Sequence, residues 1–207
     1  CYWGKCAYCD YIELYRGSRP YRARTPDDFL GEMEYQARSH GVNRFTLITE
    51  SIAPAFAERL SRLVAERGLS VRWHSFAMVD RRFSRELMSS MVRSGCEFLI
   101  IGAETMNDRV LRLMQKAATG DDTERFLLDA REAGLDININ LIPDLPTTTF
   151  EEAMESLAGF ERLEQCFSFV SVFPFEATLS SCVGREPERF GLVADAEDLE
   201  RVELAQR

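Results

Sequence analysis

The chain has 207 residues, of which 45% are hydrophobic and 29% are charged, with 12 glycines and 7 prolines. This composition is typical of a globular protein and excludes collagen-like and disordered chains, and the length favours one large domain. Acidic residues outnumber basic ones by 34 to 25, and the net charge of −9 argues against nucleic acid as a partner. No apolar run is long enough to span a bilayer and no segment resembles a signal peptide, so we expect a cytoplasmic protein without a membrane partner.

Short apolar strands alternate with amphipathic helices along the chain, which is the pattern of a parallel sheet with crossover helices. The predicted strands cover residues 44–49, 70–78, 97–101, 136–142 and 167–173. A helix precedes each strand, and the start signals include Thr25 with Pro26, Pro54, Ser84 and Thr149. In the last of these helices the predicted buried face consists of Met154, Leu157, Phe160 and Leu163. The pattern predicts an α/β fold.

The expected architecture is a partial (β/α)6 barrel of the TIM type with parallel strands. A first strand before Cys1 is needed to start the alternation, and the chain begins with cysteine rather than methionine. We therefore expect a piece of a longer polypeptide that lacks this strand. Residues 151–207 hold 13 acidic and 5 basic side chains. We predict a core domain over residues 1–193 and an acidic helical extension over residues 194–207.

Alternation along the strands assigns polar side chains to the interior of the barrel. In the fourth strand the apolar residues face the helices, which sends Asn138 and Asn140 inward. The same reasoning places His74 on the inner face of the second strand, with Glu50 and Glu104 at the ends of the first and third. Each residue alone is equally consistent with a cap, a turn or the core. Together they predict a site at the carboxyl ends of the strands, where such barrels build their sites.

Three of the six cysteines, Cys1, Cys6 and Cys9, lie within the first nine residues. A disulfide framework is a poor interpretation, because such frameworks belong to small, cysteine-dense secreted domains. A thioredoxin-like pair would use Cys6 and Cys9 alone, and a structural zinc site would need a fourth ligand, for which Asp10 is unusual. The pattern favours an iron–sulfur cluster held by three thiolates, with zinc as the alternative. The remaining cysteines are expected in the core: Cys96, Cys166 and Cys182.

Several segments, in chain order, resemble the radical S-adenosylmethionine (SAM) superfamily. Tyr8, directly before Cys9, matches the aromatic residue of the family's CxxxCx(aromatic)C loop, although four residues rather than three separate Cys1 from Cys6. Residues 95–116 are similar to the family's GC…GxES…vLxxMxK stretch, and residues 141–152 to its fifth-strand segment, with Thr147 in place of a glycine. Residues 173–191 resemble the end of the core in cobalamin-associated and peptide-modifying members.

The resemblance implies cofactors and a set of site residues. A 4Fe-4S cluster would be held by Cys1, Cys6 and Cys9, and SAM would bind the fourth iron. The implied SAM contacts are Glu50 for the methionine amine, Glu104 near the ribose, Asn138 and Asn140 for the ribose or carboxylate, and the backbone around Ile142 for the adenine. The assignment of Glu50 agrees with the need of a cationic amine for an anionic acceptor.

The reaction implied by the resemblance is reductive cleavage of SAM to a 5′-deoxyadenosyl radical, which abstracts hydrogen from a small-molecule or peptide substrate. It requires an external one-electron reductant, and cobalamin could bind through a domain outside this chain. Further candidates for substrate contact are Tyr11, Tyr15, Arg19, Arg72 and His74. The alternative, from a different class of protein, is a non-catalytic barrel whose cysteine loop binds zinc and serves in partner binding.

Overall fold

Strands and helices alternate along the chain as the sequence predicts. The structure is a computed structural model and describes residues 1–10 and 21–193. Within these residues the elements are α1 (Pro26–His40), β1 (Arg44–Leu47), α2 (Pro54–Glu66), β2 (Arg72–Ala77), α3 (Arg85–Arg93), β3 (Cys96–Glu104), α4 (Asp108–Leu113), α5 (Gly120–Ala133), β4 (Asp136–Leu141), α6 (Phe150–Glu161), β5 (Phe169–Val172) and α7 (Cys182–Arg185). The predicted extension over residues 194–207 lies outside the described residues.

Capping residues determine where several helices begin. The Thr25 hydroxyl accepts a hydrogen bond from the Asp28 N–H at the start of α1, and Ser84 caps α3 in the same way. Thr149 and Glu152 form a reciprocal capping box at the start of α6. The helix starts predicted from these residues are confirmed.

All five described strands join one parallel sheet in the order β1-β2-β3-β4-β5. The helices between them are crossover connections, as a partial (β/α) barrel requires. The pairing of β3 with β4 is interrupted between Gly102 and Glu104. Glu104 consequently ends β3 with a φ of 61°, in the left-handed region that residues with a side chain rarely adopt.

One face of the sheet packs against the helices and forms the main core. On β4, Ile137, Ile139 and Leu141 are buried, whereas Asn138 and Asn140 are half-buried on the other face. Burial of each aliphatic side chain contributes about 1.5–3 kcal/mol, so a shift of one residue in register would be costly. The predicted inward direction of the two asparagines is confirmed.

A second, smaller core lies under the residues that carry the three N-terminal cysteines. Its buried members come from four segments: Ala7, Val110, Met114, Leu145, Val183 and Phe190. Tyr8 packs against this cluster as well. Because Ala7 is one of its members, the position of the N-terminal residues depends on α4 and on the segment around α7.

The predicted buried face of α6 is wrong in part. Phe160 and Leu163 are buried as expected, but Met154 and Leu157 are each 46% exposed, and Phe150 is 76% exposed. The three exposed residues lie on one side of the helix, at positions i, i+4 and i+7. Helical periodicity finds apolar residues but does not show which side of the helix another element covers. In the part of the chain that the structure describes, no helix is long and apolar enough to cross a bilayer.

Candidate functional site

Residues 1–10, here called the cysteine loop, are held by hydrogen bonds to distant segments. The Ala7 N–H donates to the Met114 carbonyl (2.9 Å), and the Ala7 carbonyl accepts from the Val183 N–H (3.0 Å). The Trp3 indole N–H donates to the Gln115 carbonyl (2.8 Å). The loop is therefore fixed at its middle by residues that follow α4 and by the start of α7.

Side-chain hydrogen bonds hold both ends of the cysteine loop. Tyr2 donates its hydroxyl hydrogen to Asp80 (3.1 Å). At the other end, Asp10 accepts hydrogen bonds from the hydroxyls of Thr178 and Ser180, the latter at 2.6 Å. The carboxylate that a four-ligand zinc site would recruit is thus already engaged in holding the loop.

Cys6 and Cys9 line one cavity of about 250 Å³, whose other lining residues are Gly4, Lys5, Gln115, Cys182 and Arg185. Cys1 is half-buried outside this cavity, and its amino nitrogen lies 3.5 Å from the Glu50 carboxylate. Among the described residues, no three Cys, His, Asp or Glu side chains lie close enough together to hold a metal ion. Two soft thiol donors on one cavity fit part of the ligand set of a thiolate-held cluster.

Tyr8, Glu104 and Lys116 form a buried network under the cysteine loop. The Tyr8 hydroxyl donates to Glu104 Oε1 at 2.9 Å. Lys116 Nζ donates to the same carboxylate oxygen at 3.1 Å, to the Tyr8 hydroxyl oxygen at 3.2 Å and to the Gly102 carbonyl at 2.9 Å. The side chains of Lys116 and Glu104 are only 9% and 8% exposed. Each charge is compensated by its partner and by hydrogen bonds, as burial of an ion pair requires.

The charges of this network reach Cys6. Burial raises the pKa of the Cys6 thiol, the Lys116 cation lowers it, and Cys9 and Glu104 raise it further. For Lys116, burial lowers the pKa, but Tyr8 and Glu104 raise it by more, so it lies above its ordinary value. Lys116 is therefore a permanent cation near Cys6 at physiological pH.

The other predicted SAM contacts lie at or near the carboxyl edge of the sheet. Glu50 follows β1 and lines a cavity of about 590 Å³, a size typical of small-molecule sites. Asn138 and Asn140 are half-buried on the inner face of β4. The Ile142 N–H, just beyond β4, donates to the Glu104 carbonyl at 3.0 Å. Glu104 differs from the others because its Oε1 is already bound by the buried network.

Arg109 holds the loop between β4 and α6. Its guanidinium pairs with Glu152 at 2.6 Å and donates to the Thr147 carbonyl (2.7 Å) and hydroxyl (2.8 Å). Thr147 has a φ of 68°, so the threonine that replaces the family's glycine adopts a conformation that glycine favours. Hydrogen bonds from Arg109 and, second, from Thr149 lower the pKa of Glu152 to about 2.

The candidate substrate contacts are distributed over separate places. Arg72 is exposed and pairs with Glu97 at 3.3 Å, at the amino end of β2. His74 stacks on Phe98, with ring centroids 4.3 Å apart. The other three candidates lie outside the described residues: Tyr11, Tyr15 and Arg19.

Two of the three remaining cysteines have the predicted environment. Cys96 and Cys166 are buried, but Cys182 is half-buried and lines the same cavity as Cys6 and Cys9. Its position at the start of α7, against the cysteine loop, accounts for the difference. Cys182 thus packs against the second core without being fully buried, so the core prediction is wrong for it only in part.

Sequence reasoning gave Lys116 no role of its own. One signal could have found it, because the chain has 23 arginines and only two lysines, Lys5 and Lys116. Lys5 belongs to the cysteine loop and Lys116 lies directly beneath it. All other basic side chains except the histidines are arginines, whereas both lysines lie in or directly under the cysteine loop.

Comparison with known proteins identifies relatives over most of the chain. The model of the radical SAM superfamily matches residues 1–157. The chain is 21% identical to an uncharacterized methyltransferase of Pyrococcus horikoshii, over 84% of this chain and 38% of that protein. It is 26% identical to the ribosomal protein uS12 methylthiotransferase RimO of Desulforudis audaxviator, over 98% of this chain and 46% of that protein. The chain thus spans less than half the length of either relative.

The fold also matches a solved structure, that of the radical SAM methyltransferase TsrM of Kitasatospora setae. The TM-score is 0.77 at 18% identity, over 88% of this chain and 36% of TsrM, and that structure contains cobalamin and a [4Fe-4S] cluster. At this identity the likeness concerns the fold. The family match concerns the sequence itself and covers the cysteine loop and the strands from β1 to β4, so it shows membership of the family as well as the fold. The chain belongs to the radical SAM superfamily.

Proposed function

We propose that residues 1–193 are the core domain of a radical SAM enzyme that binds a 4Fe-4S cluster at Cys1, Cys6 and Cys9. The observation that carries this proposal is the shared cavity of Cys6 and Cys9, in a loop tied to a parallel sheet in a chain of this family. When bound, the cluster and SAM supply one-electron cleavage to methionine and a 5′-deoxyadenosyl radical, which abstracts hydrogen from a substrate.

Glu50 is the proposed acceptor for the amine of SAM. Its carboxylate follows β1 and supplies the anionic acceptor that a cationic amine needs. The cavity of about 590 Å³ next to Glu50 offers room for the rest of the cofactor. Asn138 and Asn140 are the proposed partners of the ribose or the carboxylate, because their amides donate and accept. The backbone at Ile142 is the proposed adenine edge.

The relatives support a reaction subclass. The uncharacterized relative is described as a methyltransferase, RimO as a methylthiotransferase and TsrM as a radical SAM methyltransferase. We propose transfer of a methyl or related group to a small molecule or peptide, with an external one-electron reductant. Cobalamin, which TsrM binds, would require a domain outside this chain. All cysteines are free in the described residues, which is consistent with the reducing cytoplasm as the proposed compartment.

The test uses full-length protein reconstituted anaerobically with iron and sulfide. Cys6→Ala and Cys9→Ala are expected to lose the cluster signal in electron paramagnetic resonance (EPR) after dithionite reduction. Cys166→Ala, which removes a buried cysteine of the main core, is the matched control and is expected to keep it. Wild-type protein is further expected to convert SAM to 5′-deoxyadenosine when reductant is present. Stoichiometric zinc without iron in anaerobic wild-type preparations would contradict the proposal and favour the zinc-binding alternative.

A further inference from the structure

We propose that Tyr8, Glu104 and Lys116 are positioning residues for the cluster: they fix the Cys6–Cys9 part of the cysteine loop and hold the Lys116 ammonium near Cys6. The proposal rests on the proposed cluster site and concerns side chains under the thiols, not the thiols themselves. It gives Glu104 a structural partner in place of the ribose contact that the family resemblance implies.

The network is built for an ammonium group. Lys116 has three N–H donors, and they meet three acceptors, on Tyr8, Glu104 and Gly102. A guanidinium has five donors in a rigid planar fork, which this closed set of three acceptors would leave partly unsatisfied. That difference gives a physical reason for a lysine here in a chain with 23 arginines.

The backbone has an unfavourable left-handed conformation at Glu104 and at the residue next to Lys116. Glu104 and Gln115, the residue before Lys116, have φ values of 61° and 56°. Such conformations persist where surrounding contacts over-determine them, and they concentrate at functional sites. Here the contacts are the ion pair of Glu104 with Lys116 and the hydrogen bond from Trp3 to the Gln115 carbonyl.

Gly102 provides the space that the carboxylate occupies. A Cβ atom at this position would lie 2.2 Å from Glu104 Oε1 and 3.4 Å from Lys116 Nζ. A residue with a Cβ atom would require the Glu104 carboxylate to move out of its hydrogen bonds, although Gly102 itself has no left-handed φ that would require glycine.

The network acts on the loop through Tyr8, which lies between Cys6 and Cys9 and packs on the second core. Its hydroxyl is bound from two sides, by Glu104 and by Lys116. The buried ammonium is screened less by water and salt than an exposed charge would be. The Glu104 carboxylate opposes this charge, but Lys116 acts on Cys6 more strongly than Glu104 does. Because reduction adds negative charge to a cluster, Lys116 favours the reduced form and raises the midpoint potential.

The first test removes the charge of Lys116 in the full-length protein. After anaerobic reconstitution, EPR-monitored redox titration is expected to give a more negative midpoint potential for Lys116→Met than for wild type. The control is Arg112→Met, which removes an exposed cation of α4 that does not line the cavity of Cys6 and Cys9. Its shift is expected to be smaller because water screens the Arg112 charge. An unchanged potential in Lys116→Met, or an equal shift in both variants, overturns the proposal.

The second test leaves both charges in place and removes one hydroxyl. Tyr8→Phe is expected to keep a potential close to that of wild type but to lose iron faster to a chelator and to exchange the Ala7 amide hydrogen faster. It decides the positioning role even where Lys116→Met does not fold. Wild-type rates of iron loss and exchange in Tyr8→Phe overturn that role. Failure of the wild-type protein itself to take up a cluster overturns the proposed function, whereas a normal wild-type cluster with unchanged variants overturns this inference alone.

Discussion

Gly95 follows α3 at a point where the backbone of a neighbouring segment leaves no room for a side chain. Its φ is 90°, and a Cβ atom would lie 1.9 Å from the Val71 carbonyl oxygen. Gly41 has a similar left-handed conformation, with φ 66°, but nothing lies within 4 Å of the place its Cβ would occupy. Alanine at Gly41 therefore tests the cost of the left-handed backbone alone. Alanine at Gly95 tests that cost together with the steric clash of a Cβ atom with the Val71 carbonyl.

Gly41→Ala is expected to lower the free energy of unfolding by about 1 kcal/mol, the cost of a left-handed conformation for a residue with Cβ. Gly95→Ala should lower it by more than about 3 kcal/mol, because the added Cβ must also displace the Val71 carbonyl. Denaturant unfolding followed by circular dichroism measures both. Equal losses for the two variants would show that Gly95 has more room than its contacts indicate.

The hydrogen bonds of Arg109 predict a pH dependence at Glu152. The pKa of Glu152 in the folded protein, about 2, is lower than its value in the unfolded chain. The interaction therefore stabilises the fold fully above the unfolded-state pKa, and this stabilisation is lost as the pH falls toward 2. Arg109→Gln is expected to raise the Glu152 pKa toward the ordinary value for glutamate, as measured by carboxyl NMR, while the hydrogen bonds of Thr149 keep part of the lowering.

The matched control for Arg109→Gln is Arg112→Gln. Arg112 is a neighbouring exposed arginine that pairs with Asp108 at 3.8 Å rather than with Glu152. It should leave the titration of Glu152 in place. A Glu152 pKa that stays low in Arg109→Gln would assign the effect to the capping box at Thr149 instead.

Single residues of the site were predictable from sequence to different degrees. Cys6 and Cys9 were recognisable from spacing, and Asn138 and Asn140 from alternation along a strand. The engagement of Glu104 was not, because it depends on an irregular end of β3 and on residues 8 and 116, far from it in the chain. Strand periodicity treats Glu104 as one more inward residue, whereas its left-handed backbone directs it to Lys116.

Elements were predicted more reliably than side-chain partners. Every predicted strand is present, and the observed strands start within two residues of the predicted positions. This agreement has a local cause, because helix caps, prolines and glycines mark boundaries without reference to tertiary contacts. The assignment failed on α6, where Met154 and Leu157 are exposed, since burial of a helix face depends on what packs against it.

The two sides of α6 give a prediction on the scale of the element. Phe160→Ala is expected to lower the free energy of unfolding by about 3–5 kcal/mol, because its ring is 3% exposed in the main core. Phe150→Ala, on the exposed side of the same helix, should change it by less than about 0.5 kcal/mol. Thermal or denaturant unfolding of full-length protein measures both. A large loss for Phe150→Ala would show that another part of the protein covers this side.

On the scale of the molecule, the sheet forms from contacts between segments that are close in sequence, whereas the cysteine loop is held by segments that are far from it in sequence. Each strand pairs with the strand that precedes it, so the sheet grows by connections of one helix at a time. The loop instead contacts residues about a hundred positions away, such as Glu104 and Met114, and residues near the other end of the described chain. The fold was therefore readable from local patterns, and the support of the cysteines was not.

The separation of 170 residues between Asp10 and Ser180 has a consequence for biosynthesis. The cysteines leave the ribosome well before the segment around Ser180 that holds their loop, and a domain folds only once its parts have been synthesised. Throughout that interval the three thiols lie in a loop whose contacts with the later segments have not yet formed. We expect metal delivery to follow translation of the whole domain, and the nascent chain to depend on a reducing, metal-poor environment until then.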